Sequence, residues 1–329
     1  MPYERILLAL DGSGLAESAL GHAARLARGS AATLHLLHVQ ASRPAAGQSS
    51  VNCVDWRLRR VEMQGYLDEI GGRVASDGVA TASAVREGRA AEQIVEYARE
   101  QAIDLVVLSA YGDGGPSPFP FGSTVQKVIG SSGLSFMLVR PDGAPHGERA
   151  GSHRRVLVPL DGSYGAEWAA REAAAMLGAQ LEELLLLQIV PAPDMPRCRP
   201  LTREERELRE KLVECNRHAA ERYLLDFAGQ LGDGLAVSTR LVVGDDIAAN
   251  IVAAADREQV DLIAMSAHGA HSDARWGLGT VCQELVCRNP VPLLVLQQPG
   301  TWARRRRAGD DSDGVTSSRL LYADQPPQR

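Results

Sequence analysis

Apolar residues along this chain follow two alternating rhythms. Nearly continuous aliphatic runs of strand length occur at Ile6–Leu10, Thr33–Val39, Val79–Val85, Leu105–Ser109 and Leu134–Val139. Between them apolar positions recur at helical spacing, as in Leu15, Ala19, Ala23, Leu26 and Ala27. Further helices are predicted over Asp55–Val74, Ala90–Gln101 and Ser123–Ile129. Runs with little polar alternation suit strands covered on both faces, and a strand–helix–strand order forces parallel neighbours with right-handed crossovers. The Ser-, Pro- and Gly-rich stretch 41–50 reads as a loop.

The whole rhythm then repeats. RILLALDGS at 5–13 faces RVLVPLDGS at 155–163, and D-G-S-x-x-A-E continues from Asp11 to Glu17 and from Asp161 to Glu167. IDLVVLSAYG at 103–112 faces VDLIAMSAHG at 260–269, and FGSTV at 121–125 faces LGTVC at 278–282. LSFMLVRP at 134–141 faces VPLLVLQQP at 291–299, with one residue of slack. A period this long is a duplicated domain, not a solenoid. The expected fold class is α/β: two tandem, doubly wound, five-stranded parallel-sheet domains of Rossmann-like type. Their expected bounds are 1–141 (copy one) and 153–298 (copy two), with 142–152 as linker and a long charged helix at Thr202–Gln230. The tail 299–329 carries Arg304–Arg307 and then GDDSDG, too little apolar surface to order itself.

Composition narrows the class. The net charge of -6 over 329 residues gives no basic balance that would point to specific nucleic-acid binding. The start, MPYERILLALDGS, lacks the pattern of a signal peptide. The longest apolar runs, such as Leu184–Val190, fall short of the ~20 residues of a membrane span. Cys53, Cys198, Cys215, Cys282 and Cys287 form no C-x-x-C pair and read as reduced structural thiols. A cytoplasmic protein without membrane association is expected.

Ligands of open α/β sheets bind beyond the carboxyl ends of the strands where strand order reverses, here strands one and four of each copy. Strand one ends in Asp11-Gly12-Ser13 and Asp161-Gly162-Ser163; strand four ends in Ser109-Ala110-Tyr111-Gly112 and Ser266-Ala267-His268-Gly269. Nine residues then lead to Gly122-Ser123 and to Gly279-Thr280, each opening a helix. Glycines let backbone amides approach an anion, and a helix N-terminus favours phosphate. Ser13 and Ser163 are also well placed to cap the first helices, and the aspartates share that turn. No P-loop lysine motif occurs, and no residue of the motif is an obvious general base.

On these residues the chain resembles the universal stress protein family. That family carries G-x-x-G-x9-G-[S/T] after strand four and an Asp ending strand one, often within V-P-x-D-G-S; VPLDGS at 158–163 is similar to it. The resemblance covers roughly 1–141 and 153–298 and implies binding of an adenine nucleotide, AMP or ATP, the latter with Mg²⁺. By the same resemblance Asp11 and Asp161 lie beside the adenosine, and Val39 and Ile189 present backbone to the adenine edge. Gly112, Gly122 and Ser123, and in copy two Gly269, Gly279 and Thr280, hold phosphate. Ser109 and Ser266 stand where the signature has its first glycine. The spacer DGGPSPFPF of copy one has no basic residue, whereas AHSDARWGL of copy two offers His271 and Arg275, which favours copy two as the phosphate site. Family members commonly pair through the last strand, which implies pairing of 134–139 with 291–297 within one chain; a homodimer of chains is a further expectation. The implied function is nucleotide binding in stress response or signalling without substantial turnover. A slow Mg²⁺-dependent ATPase and a nucleotide-free interaction module are the alternatives.

Overall fold

The computed structural model describes residues 3–40, 51–115, 120–141, 153–191, 202–232, 234–269 and 277–298. The linker 142–152, most of the spacer 270–278 with Arg275 and His271, Cys198 and the tail 299–329 lie outside or largely outside these residues.

In copy one the strands are β1 (Arg5–Leu10), β2 (Thr33–Gln40), β3 (Thr81–Glu87), β4 (Leu105–Ser109) and β5 (Ser135–Val139). The helices are α1 (Gly14–Glu17), α2 (Leu20–Ser30), α3 (Val51–Ser76), α4 (Ala90–Glu100) and α5 (Ser123–Ser132). Copy two supplies β6 (Arg155–Leu160), α6 (Tyr164–Leu177), β7 (Glu183–Val190), α7 (Arg203–Gln230), β8 (Ala236–Val243), α8 (Ile247–Arg257), β9 (Leu262–Ser266), α9 (Thr280–Arg288) and β10 (Leu293–Leu296).

All ten strands form one sheet in the order β3-β2-β1-β4-β5-β10-β9-β6-β7-β8. Pairing is parallel within each copy and antiparallel only between β5 and β10, where Phe136 faces Val295 and Leu138 faces Leu293. The expected pairing of the two copies through their last strands is therefore present. Successive side chains alternate between two cores. Leu8 and Leu36 pack under α2 and α3, whereas Leu7 and Leu37 pack under α4 and α5. The first core is continuous across the seam between copies, where α2 meets α6. Gly29 permits that approach, because a Cβ there would lie 2.4 Å from the Met176 carbonyl.

Two local expectations change. The single first helix expected in copy one is interrupted between α1 and α2, where Ser18 Oγ bonds back to the Leu15 carbonyl at 2.6 Å. Copy two has Trp168 at the matching position and keeps α6 whole. Strand three runs two residues later than its apolar run suggests, since Val79 is buried before the ladder with β2 begins at Leu34–Thr81. The long helix starts as expected: Thr202 caps α7 in a capping box with Glu205.

Candidate functional site

Strand order reverses between β1 and β4 in copy one and between β6 and β9 in copy two. A cleft opens beyond each pair of strand ends, of about 560 Å³ in copy one and about 670 Å³ in copy two. The copy-one cleft brings together Asp11, Val39, Ser109, Gly112, Gly122 and Ser123; the copy-two cleft brings together Asp161, Ile189, Ser266, Gly269, Gly279 and Thr280. Arg275 lies outside the described residues.

The D-G-S turn divides its labour. Ser13 and Ser163 cap the first helices, accepting from the N–H groups of Ala16 and Ala166 at 3.1 and 3.2 Å. That leaves the aspartates for the loop after strand four. Asp11 Oδ1 accepts from the Ser13 N–H at 3.0 Å and from its hydroxyl at 2.6 Å, while Oδ2 accepts from the Asp113 N–H at 2.8 Å. Burial alone would raise the Asp11 carboxyl, but the hydrogen bonds from Ser13 and Asp113 outweigh it and hold the group below its usual range. Asp161 Oδ1 likewise accepts from the Ser163 N–H at 3.0 Å.

The next glycine is explained by that carboxylate. A Cβ on Gly112 would lie 2.0 Å from Asp11 Oδ2, and one on Gly269 would lie 2.4 Å from Asp161 Oδ2. Ser109 and Ser266 tie down the same loop: their hydroxyls donate to the carbonyls of Tyr111 and His268, each at 2.8 Å.

The glycines that open α5 and α9 act differently from the expectation that their own amides face an anion. The Gly122 N–H donates to the Ala110 carbonyl at 2.9 Å, and that of Gly279 to Ala267 at 2.8 Å. Neither helix has a side-chain cap. Among the described residues, the first-turn N–H groups one and two residues later, of Ser123 and Thr124 and of Thr280 and Val281, are donors at the cleft.

At the opposite wall, the Gln40 carbonyl accepts from Gly88 and so faces β3. Strand alternation turns the Val39 carbonyl the other way, past the end of β1, whose last pair is Leu10–His38. Ile189 repeats this: Val190 accepts from Gly244, and β6 ends at Leu160–Gln188. Each cleft thus has a backbone acceptor on one wall and helix-terminal donors on the other. Apolar walls join them: Leu37, Ala90 and Ile94 in copy one, and Leu187, Ile247 and Ile251 in copy two.

Some contributors escape sequence reasoning. Tyr66 and Tyr223 donate to Glu17 and Glu167 at 3.0 and 3.2 Å, pinning the D-G-S turn to the covering helix. The signal was the glutamate that closes D-G-S-x-x-A-E in both copies. Arg140 is the other. Its guanidinium donates to Asn289, Val286 and Cys287 carbonyls at 2.9, 2.6 and 3.1 Å, beyond and within the last turn of α9, and also to the Pro120 carbonyl in the copy-one loop. A cation is favoured at that helix end.

Comparison with known proteins identifies the family and the fold. The model of the "Universal stress protein family" matches residues 2–140 and again 152–297. Universal stress protein YxiE of Bacillus subtilis (strain 168) is 27% identical over 147 residues, 42% of this chain and 99% of that protein. A universal stress protein structure from Archaeoglobus fulgidus superposes with a TM-score of 0.60 at 16% identity, covering 90% of this chain and 99% of that one. A putative universal stress protein from Pseudomonas aeruginosa UCBPP-PA14 gives 0.63 at 12% identity, covering 94% and 98%. The last two are likenesses of fold.

Proposed function

We propose a function from the premise that this chain belongs to the universal stress protein family: it binds an adenine nucleotide, AMP or ATP, in its strand-end clefts and acts in stress response or signalling without substantial turnover. One observation carries the reading. The same cleft is built twice, with a carboxylate pressed on a glycine, a backbone acceptor at the end of strand two, and an uncapped helix N-terminus facing them. A carbonyl acceptor suits the exocyclic amino group of adenine, the carboxylate suits ribose hydroxyls, and the helix terminus suits phosphate.

Binding without rapid turnover fits the carboxylates. A general base works best with a pKa near the operating pH. Asp11 is instead held below the ordinary carboxylate range as an acceptor that ties its own turn to the loop after β4. Among the described residues, no three His, Cys, Asp or Glu side chains cluster as a metal site, and no helix is long and apolar enough to cross a membrane.

The test is calorimetric titration of the purified chain with AMP, ADP and ATP, repeated on Gly269→Val and Gly112→Val. The expected result is saturable binding of adenine but not of cytosine or uracil nucleotides, lost in part with each variant. No binding of any adenine nucleotide at millimolar concentration, on the order of the weakest useful affinities, would sink the proposal. Phosphate release from ATP that requires Mg²⁺ at rates typical of enzymes would replace it with the ATPase reading.

A further inference from the structure

The two clefts differ most in charge. The copy-one cleft is lined by two carboxylates, Asp11 and Asp113, and its described lining contains no Lys, Arg or His. The rest of its spacer adds none, since residues 114–121 read Gly-Gly-Pro-Ser-Pro-Phe-Pro-Phe. In copy two the position after Gly269 is Ala270, and the spacer contains His271 and Arg275 beside its one carboxylate, Asp273.

The copy-one loop is also closed on itself. The Asp113 N–H is engaged by Asp11, the Gly115 N–H by the Gly112 carbonyl at 2.8 Å, and the Gly122 N–H by Ala110. Arg140 reaches the loop at Pro120, but its guanidinium is engaged by four carbonyls. Among the described residues, the grouped donors for an anion are those of the first turn of α5, Ser123 and Thr124. That turn offers about half a unit of positive charge, matched to one phosphate and not to three.

We propose that the copy-one cleft takes adenine ligands of low charge, adenosine or its monophosphate, in preference to the triphosphate, and that Asp113 is the discriminating residue. This rests on the reading that the clefts hold adenine nucleotides. Asp113 is solvent-exposed and lines the cleft on the loop after β4. At several ångströms, through a largely aqueous medium, its repulsion of the added charges of a triphosphate is worth on the order of tenfold in affinity. The preference therefore weakens as salt rises.

The test uses the full chain and photoreactive 8-azido forms of adenosine, AMP and ATP, with labelled peptides assigned to copy one or copy two by mass spectrometry. Labelling is run in EDTA and in Mg²⁺, because a metal bridging Asp113 to phosphates would reverse the order. The expected result in EDTA is that copy-one peptides saturate with azido-adenosine and azido-AMP at concentrations roughly tenfold below azido-ATP, a gap that narrows in Mg²⁺ as the metal neutralises the added charge. Asp113→Asn closes most of that gap, Asp113→Lys inverts it, and neither changes labelling of copy two. Equal or tighter labelling of copy one by azido-ATP in EDTA, or tighter labelling by azido-ATP in Mg²⁺, overturns the inference. So does a gap that Asp113→Asn leaves intact, or a copy one that no probe labels while copy two is labelled. If no probe labels either copy, the nucleotide reading itself fails, a different outcome from these.

Discussion

His22 and His153 meet at the seam between the copies, and lowering the pH is expected to destabilise the chain through them. His22 Nδ1 and His153 Nε2 lie 2.9 Å apart, and both side chains are buried, at 3% and 1% exposure. A hydrogen bond between two imidazoles needs at least one acceptor nitrogen, so the pair cannot be doubly protonated. Burial first, then the positive charge of Arg25, pushes His22 down to about 4, partly opposed by Asp261. Burial, His22 and Arg25 hold His153 well below the ordinary range. The sign follows from linkage. The unfolded chain binds protons near pH 6.5 and the folded chain does not. Stability is thus complete above about 6.5 and falls as pH drops toward the folded value. For His22 alone, the drop from the ordinary value to about 4 corresponds to a loss on the order of 3 kcal/mol in full, most of it reached by about pH 4.5. The assay is urea unfolding followed by circular dichroism at several pH values between 7.5 and 4.5, ~1.4 kcal/mol being a tenfold change in the unfolding constant. His22→Gln keeps a hydrogen-bonding partner for His153 and removes one titrating group. Its stability is expected to fall less steeply with acid than that of the natural chain. Parallel pH dependences for the two proteins would refute the reasoning, because carboxylate titration is common to both.

Other predictions concern packing and the loop. Gly29→Val should lower stability by about 2–4 kcal/mol in the same unfolding assay, since its Cβ is forced onto the Met176 carbonyl and the α2–α6 contact must open. Arg140→Gln leaves carbonyls at the end of α9 and at Pro120 without their donor, and a loss of about 1–3 kcal/mol is expected, read as a lower thermal midpoint. Gly269→Ala should weaken nucleotide binding in copy two by more than roughly tenfold, and Gly162→Ala should cost the same cleft less affinity, because the first displaces the Asp161 carboxylate whereas the second mainly strains a left-handed backbone position at φ +77°. Comparison of the two by calorimetry separates loop strain from carboxylate displacement.

Much of this fold was legible because its strands are buried on both faces. Continuous aliphatic runs at 6–10, 105–109 and 184–190 leave little doubt between strand and surface, and the internal repeat turns one reading into two. What stayed hidden depends on side chains that act across space. The first helix of copy one is interrupted at Ser18, whose hydroxyl bonds back to Leu15, although its apolar periodicity describes it as whole; the copy-two helix, with Trp168 there, is continuous. Strand three is an edge strand, so its ladder is set by pairing with β2 and not by Val79. At the site, the aspartates, the glycines and the helix starts were visible as spaced motifs. Their division of roles was not: Ser13 caps the helix while Asp11 serves the loop, and Gly122 donates to Ala110 while its successors face the cleft. Tyr66 and Arg140 come from helices and strand ends far away in sequence, where spacing carries no information.

The most direct measurement is a crystal structure of the chain grown with saturating AMP or ATP. An adenine ring is expected beside the carbonyls of Val39 or Ile189, a ribose at Asp11 or Asp161, and phosphate at the first turn of α5 or α9. Clefts that remain empty at saturating nucleotide, or nucleotide bound only elsewhere on the surface, would contradict it.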